Sequence, residues 1–151
     1  MIKQFWIAGL MALCLSAPTG AQEFIEDVNY VRLSKPQAVQ TGEKIEVLEL
    51  FWYHCPHCFY LEPYLNRWLK NKADYIEYVR LPAVLTGSWE FDARVFYTFE
   101  ALGVTETMHK AYFDAIHKDR KPFVTEEQVA SWAGEYGIER QDFLDTFFNS
   151  F

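Results

Sequence analysis

The chain has 151 residues, half of them apolar and 18% aromatic, which suits one globular domain with a hydrophobic core and excludes a disordered segment. Its net charge of −7 supplies no basic surface for a nucleic-acid backbone, so that class of partner is set aside.

The first element, "MIKQFWIAGLMALCLSAPTGA", residues 1–21, has Lys3 ahead of an apolar run from Phe5 to Leu15 and ends on Thr19-Gly20-Ala21. A short positive start, an apolar middle and a small-residue exit predict a cleaved secretory signal, and the run is too short to span a bilayer, which takes roughly 20 residues. Cys14 follows a bulky Leu13 where a lipoprotein site needs a small residue, so it is expected to leave with the signal. Cys55 and Cys58 then remain.

"IEVLELFW", residues 45–52, is too short and too rich in β-branched and aromatic residues for a helix, and reads as a strand buried on both faces. In "PHCFYLEPYLNRWLKN", Tyr60, Leu61, Tyr64, Leu65 and Trp68 recur at helical spacing and predict the buried face of a helix, with Pro56 in its first turn. Cys55 therefore stands at the mouth of a helix, where free N–H groups and the positive dipole end favour thiolate over thiol. Cys58 lies one turn further in, close enough to form a disulfide and less open to attack. Cys55 is thus the expected nucleophile and Cys58 the resolving thiol.

Two other uses of the pair fit less well. A structural bridge across two intervening residues removes little unfolded-chain entropy. A zinc site is suggested by His54 and His57, but it needs further ligands at short spacing; His109 and His117 are eight residues apart, about 12 Å along a helix. Between the cysteines, His57 either stabilises the Cys55 thiolate by a hydrogen bond or charge, making the disulfide more oxidising, or is an exposed histidine without consequence. Glu49 interrupts the strand six residues before Cys55. It either exchanges protons with the pair or reaches the sheet edge and water.

"YIEYVRL", residues 75–81, predicts a second core strand and, with the first strand and helix, a βαβ unit with a right-handed crossover. From Ser88 the pattern is helical: "WEFDARVFYTFEALG" ends at Gly103, "TMHKAYFDAIHK" sets Met108, Tyr112, Phe113 and Ile116 on one face, and Thr125 with Gln128 forms a capping box. A last helix starts near Glu139. His109 and His117 are read as surface residues, and no phosphate-binding glycine loop is present.

"VLELFWYHCPHC" followed by a helix resembles the DsbA family of bacterial periplasmic thiol-disulfide oxidants, and the resemblance runs from about Ile45 to the C-terminus. It implies an α/β thioredoxin-like fold, begun in residues 22–87, with a helical insertion in residues 88–151. It places the nucleophile on Cys55, the resolving thiol on Cys58, the tuning histidine on His57, the active dipeptide on Pro56 and His57, and a buried proton-handling acid on Glu49. Pro63 matches the proline in the active-site helix of thioredoxins, and a plain kink accounts for it equally well. The implied activity is donation of the Cys55–Cys58 disulfide to reduced exported proteins in the periplasm, with reoxidation by a quinone-linked inner-membrane protein and no metal or organic cofactor. An isomerase or reductase, or a non-catalytic peptide-binding module, is the alternative.

The same fold closes its sheet with a β-hairpin, preceded by a cis-proline facing the disulfide, and a last helix. No proline follows Pro122, so the resemblance implies a chain shortened at its C-terminus by roughly 50 or more residues, in keeping with two strands and a helix. Phe143, Phe147, Phe148 and Phe151 are accordingly expected to form a stripe lacking part of its cover.

Overall fold

The structure, a computed structural model, describes residues 23–149. The expected signal segment and Phe151 lie outside the described residues. Residues 23–38 form a unit of their own, in which a turn closes with Asp27 at a positive φ of 68°, the Asp27 N–H bonds the Tyr30 carbonyl at 2.8 Å and Arg32 pairs with Glu26 at 3.2 Å.

In the second unit, β1 (Ile45–Phe51) leads through a short turn into α1 (Pro56–Leu69), which crosses to β2 (Ile76–Pro82). The strands pair in parallel, with Glu49 opposite Arg80 and Leu50 opposite Leu81. Four helices follow: α2 (Gly87–Ala101), α3 (Thr105–His117), α4 (Glu126–Ala133), which runs into a 3₁₀ turn at Gly134–Tyr136, and α5 (Arg140–Asn149). The predicted strand-helix-strand unit and the helical segment after it are both present.

The core sits among the helices. Phe51, at the end of β1, packs edge-on against Tyr53 at 5.1 Å and Phe96 at 5.3 Å, and the cluster continues through Phe99, Met108, Tyr112, Phe113 and Val129 to Phe143. α4 enters this core through the expected capping box: Thr125 accepts from the Gln128 N–H at 3.4 Å, and the Gln128 side chain accepts from the Thr125 N–H at 3.2 Å. On α5, Phe143 and Phe147 are buried and Phe148 is exposed, so the stripe is covered at two of its described positions.

Two expectations are corrected. β1 is covered on one face only, because side chains alternate: Val47, Glu49 and Phe51 point toward α1 and the core, while Leu48 and Leu50 on the opposite face are 47% and 61% exposed. On α1, the expected buried face is also displaced, for Tyr60, Leu61 and Tyr64 are exposed. The inward side is carried by Cys58, Phe59 and Glu62, and Glu62 is the buried residue of the helix.

Candidate active site

Cys55 occupies the N-cap of α1 with extended backbone (φ −80°, ψ 113°), and Pro56 follows in the first turn, where its missing N–H costs no intrahelical bond. The cap is held from both sides: the Cys55 N–H bonds the Trp52 carbonyl at 3.0 Å, and the Cys55 carbonyl accepts the first helical bond from Phe59 at 3.1 Å. Cys55 and Cys58 are free thiols, each part-exposed, and Cys58 lies against the aromatic core.

The three residues between β1 and Cys55 are each anchored to the helical segment. The Trp52 ring stacks on Trp89 of α2 at 4.2 Å. Tyr53 is fully buried, and its carbonyl accepts from His117 Nε2 at 2.8 Å. His54 Nδ1 donates to the buried Asp92 of α2 at 2.6 Å, and the other oxygen of Asp92 accepts from Tyr112 at 3.4 Å. The turn that presents Cys55 is therefore fixed by α2 and α3.

Local hydrogen bonding divides the two thiols. Desolvation acts to raise the Cys55 pKa, but the backbone N–H and thiol of Cys58, together with the His57 N–H, overcome it and hold Cys55 below the ordinary thiol value. Burial pushes Cys58 the other way, to about 11; the Trp52 backbone opposes this, and the neighbouring Cys55 and the charge of Glu49 add to it. Thiolate character is thus concentrated on Cys55. The donor that His57 brings to the sulfur is its backbone N–H.

Glu49 does not reach water at the sheet edge. Its carboxylate is mostly buried, accepts from Arg80 Nε at 2.7 Å and is hydrogen-bonded by the Tyr78 hydroxyl. Arg80 reaches with its Nη2 to Glu62 on α1 at 2.6 Å. Glu62 in turn meets His109 Nε2 at 3.2 Å, and His109 Nδ1 meets the Tyr53 hydroxyl at 2.9 Å. One buried network therefore joins β1, β2, α1, α3 and the Cys55 turn.

The two helical histidines correct the surface assignment. His109 is 4% exposed and His117 is half-buried, stacked on Phe59 at 4.7 Å. Polar partners make burial of these rings tolerable. Neither Glu62, Arg80 nor His109 stands out in the sequence as a site residue, although Glu62 carries one signal, a carboxylate four residues after Cys58 on the same helix face.

A Cys-x-x-Cys pair opening a helix that leaves a parallel strand, with a run of helices following the second strand, defines a thioredoxin-like dithiol protein. No family model matches the sequence. The thiol:disulfide interchange protein DsbA of Pseudomonas aeruginosa is 39% identical over 141 residues, covering 93% of this chain and 66% of the relative. That of Azotobacter vinelandii is 42% identical over 118 residues, covering 78% and 55%. The crystal structure of Pseudomonas aeruginosa DsbA superposes with a TM-score of 0.73 at 42% identity, covering 80% of this chain and 62% of that one. Reduced DsbA1 from Neisseria meningitidis gives 0.69 at 28% identity, covering 82% and 66%. The chain belongs to the DsbA family, and it spans between about half and two thirds of the length of these relatives.

Proposed function

We propose that the protein is a thiol-disulfide oxidoreductase that passes a Cys55–Cys58 disulfide to cysteine pairs of reduced exported proteins. A substrate thiolate attacks the Cys55 sulfur; the Cys55–Cys58 bond breaks, and Cys58 leaves with the electron pair and takes up a proton. A second substrate thiolate then attacks the substrate sulfur of the mixed disulfide and releases Cys55 as thiolate. Two electrons have passed from the substrate dithiol to the protein. The observation that carries this reading is the asymmetry at the head of α1: Cys55 stands at the part-exposed N-cap, facing the backbone N–H groups of the first turn, and Cys58 packs against the aromatic core, which favours thiolate on the first and thiol on the second.

In this scheme Pro56 keeps the first turn free of a competing donor, His57 supplies an N–H to the departing Cys55 thiolate, and the charge of Glu49 adds to burial in raising the proton affinity of Cys58. Family membership supports work in the periplasm after cleavage of residues 1–21, with a quinone-linked inner-membrane protein as reoxidant. Single cysteine variants test the assignment. Cys55→Ala should abolish oxidation of a reduced substrate, and Cys58→Ala should accumulate mixed disulfides visible on non-reducing gels after thiol trapping. Equal adduct formation by the two variants would contradict it.

A further inference from the structure

The hydrogen bonds around His109 determine its tautomer. Glu62 Oε1 also accepts from Arg80 at 2.6 Å, so it is an ionised acceptor, and the His109 Nε2 facing it carries the hydrogen. Tyr53 is fully buried and keeps its proton, so its O–H donates to Nδ1 at 2.9 Å. A neutral ring satisfies every partner. A second proton would have to go onto Nδ1, turning the Tyr53 hydrogen bond around inside the core.

Groups facing this ring come from every element around it. Glu62 comes from α1, Arg80 from β2 with Glu49 of β1 behind it, and Tyr53 from the active-site turn. Asp92 and Glu100 of α2 act on the same Tyr53 hydroxyl, and Phe51, Phe96 and Phe113 close the remaining sides with ring centroids 5.0–6.2 Å away. Two carboxylates share one guanidinium here, so the network has an excess negative charge that a proton on His109 would cancel. Its far end, Glu49, acts electrostatically on Cys58.

We infer that His109 is a positioning residue for thiol exchange: by holding Glu62 against Arg80, and Arg80 against Glu49, it ties the proton balance of this buried network to the redox state of Cys55 and Cys58. The inference rests on the dithiol reading of that pair. In the reduced form a Cys55 thiolate adds to the excess negative charge around the network, and that charge favours a proton on His109. By reciprocity, a protonated His109 favours the reduced pair by the same factor. In equilibration with glutathione, two glutathione thiols give up two electrons and two protons and become a disulfide, the Cys55–Cys58 bond takes the electrons, Cys58 takes one proton and the other goes to solvent; at acidic pH His109 takes up a fraction of that second proton.

The test compares the imidazole ¹⁵N resonances of the disulfide form, prepared with diamide, and the dithiol form, prepared with dithiothreitol, from about pH 7 down to about pH 5. His109→Gln, which keeps a donor toward Glu62, identifies the resonance. His109 should titrate at higher pH in the dithiol form; a difference of about half a unit corresponds to about a threefold change in the glutathione equilibrium constant. That acid-side gain toward the reduced protein should vanish in His109→Gln. Identical His109 titrations in the two forms would overturn the inference, and because this comparison uses the unmutated protein it decides even where the variant folds poorly. It also needs no catalysis, so a protein that oxidises no substrate but shows two titrations would sink the proposed activity and leave the coupling standing.

Discussion

At Cys55 the donors that favour thiolate come from the first turn of its own helix, whereas Cys58 sits against apolar rings and a carboxylate's field. At pH 7 a thiol with a pKa of about 11 is ionised to on the order of one part in 10⁴, so iodoacetamide should label Cys55 at least about tenfold faster than Cys58, as read by peptide mass spectrometry. Comparable rates would show that the helix mouth does not separate the thiols. Glu49→Gln removes a charge that raises the Cys58 pKa, and should lower it; an alkylation profile against pH in a Cys55→Ser background measures this. The cysteine pair was legible because spacing, strand, proline and helix are all local. His109 was not, since its partners Glu62 and Tyr53 lie 47 and 56 positions away in the chain and a lone histidine among aromatic residues gives no sign of them.

Among the elements, α1 shows how one buried charge misdirects a periodicity argument. Glu62 occupies the centre of the inward face, so the aromatic flank of Tyr60 and Tyr64 carries the stronger apolar signal in the sequence although it faces solvent. The acid is stable there because Arg80 and His109 meet it, and their bonds outweigh the burial that would otherwise raise its pKa, holding it below 4.5. A carboxyl with a depressed folded pKa contributes stability that is present above its unfolded value and lost as pH falls through the folded one. For His109, burial is the leading cause and, with Arg80, outweighs Glu62 and holds its pKa below 6.5. The folded state therefore prefers the neutral ring, and stability should decline as pH drops below about 6.5. Urea midpoints followed from pH 7 downward should fall in two stages, the upper one absent in His109→Gln and the lower one smaller in Glu62→Gln, where the paired Asp114 still contributes. Capping, by contrast, was fully readable: Thr125 and Gln128 are three residues apart and form the box at α4, and Thr125→Ala should cost about 1 kcal/mol in chemical unfolding.

For the whole molecule, the informative surface is the face of the sheet turned away from α1. The pairing puts Leu50 beside Leu81 and Leu48 beside Val79, so the apolar side chains of the two strands lie together, with Leu48 at 47%, Leu50 at 61% and Leu81 at 38% exposure. An apolar run such as "VLELF" reads as buried on both faces because composition records which side chains tolerate burial and not which element covers them. Contiguous exposed apolar surface drives association, and the net charge of −7 opposes it only over long range and at low salt. The protein should therefore self-associate increasingly with concentration and with salt, as measured by sedimentation. Leu50→Lys introduces a charge at the centre of this face, where the side chain is already mostly in water, so the expected change in unfolding free energy is within about 0.5 kcal/mol. The variant should sediment as monomer where the parent does not, and bind less of an apolar dye such as ANS. If parent and variant sediment alike and bind equal dye, the association surface lies elsewhere and this face is covered in solution.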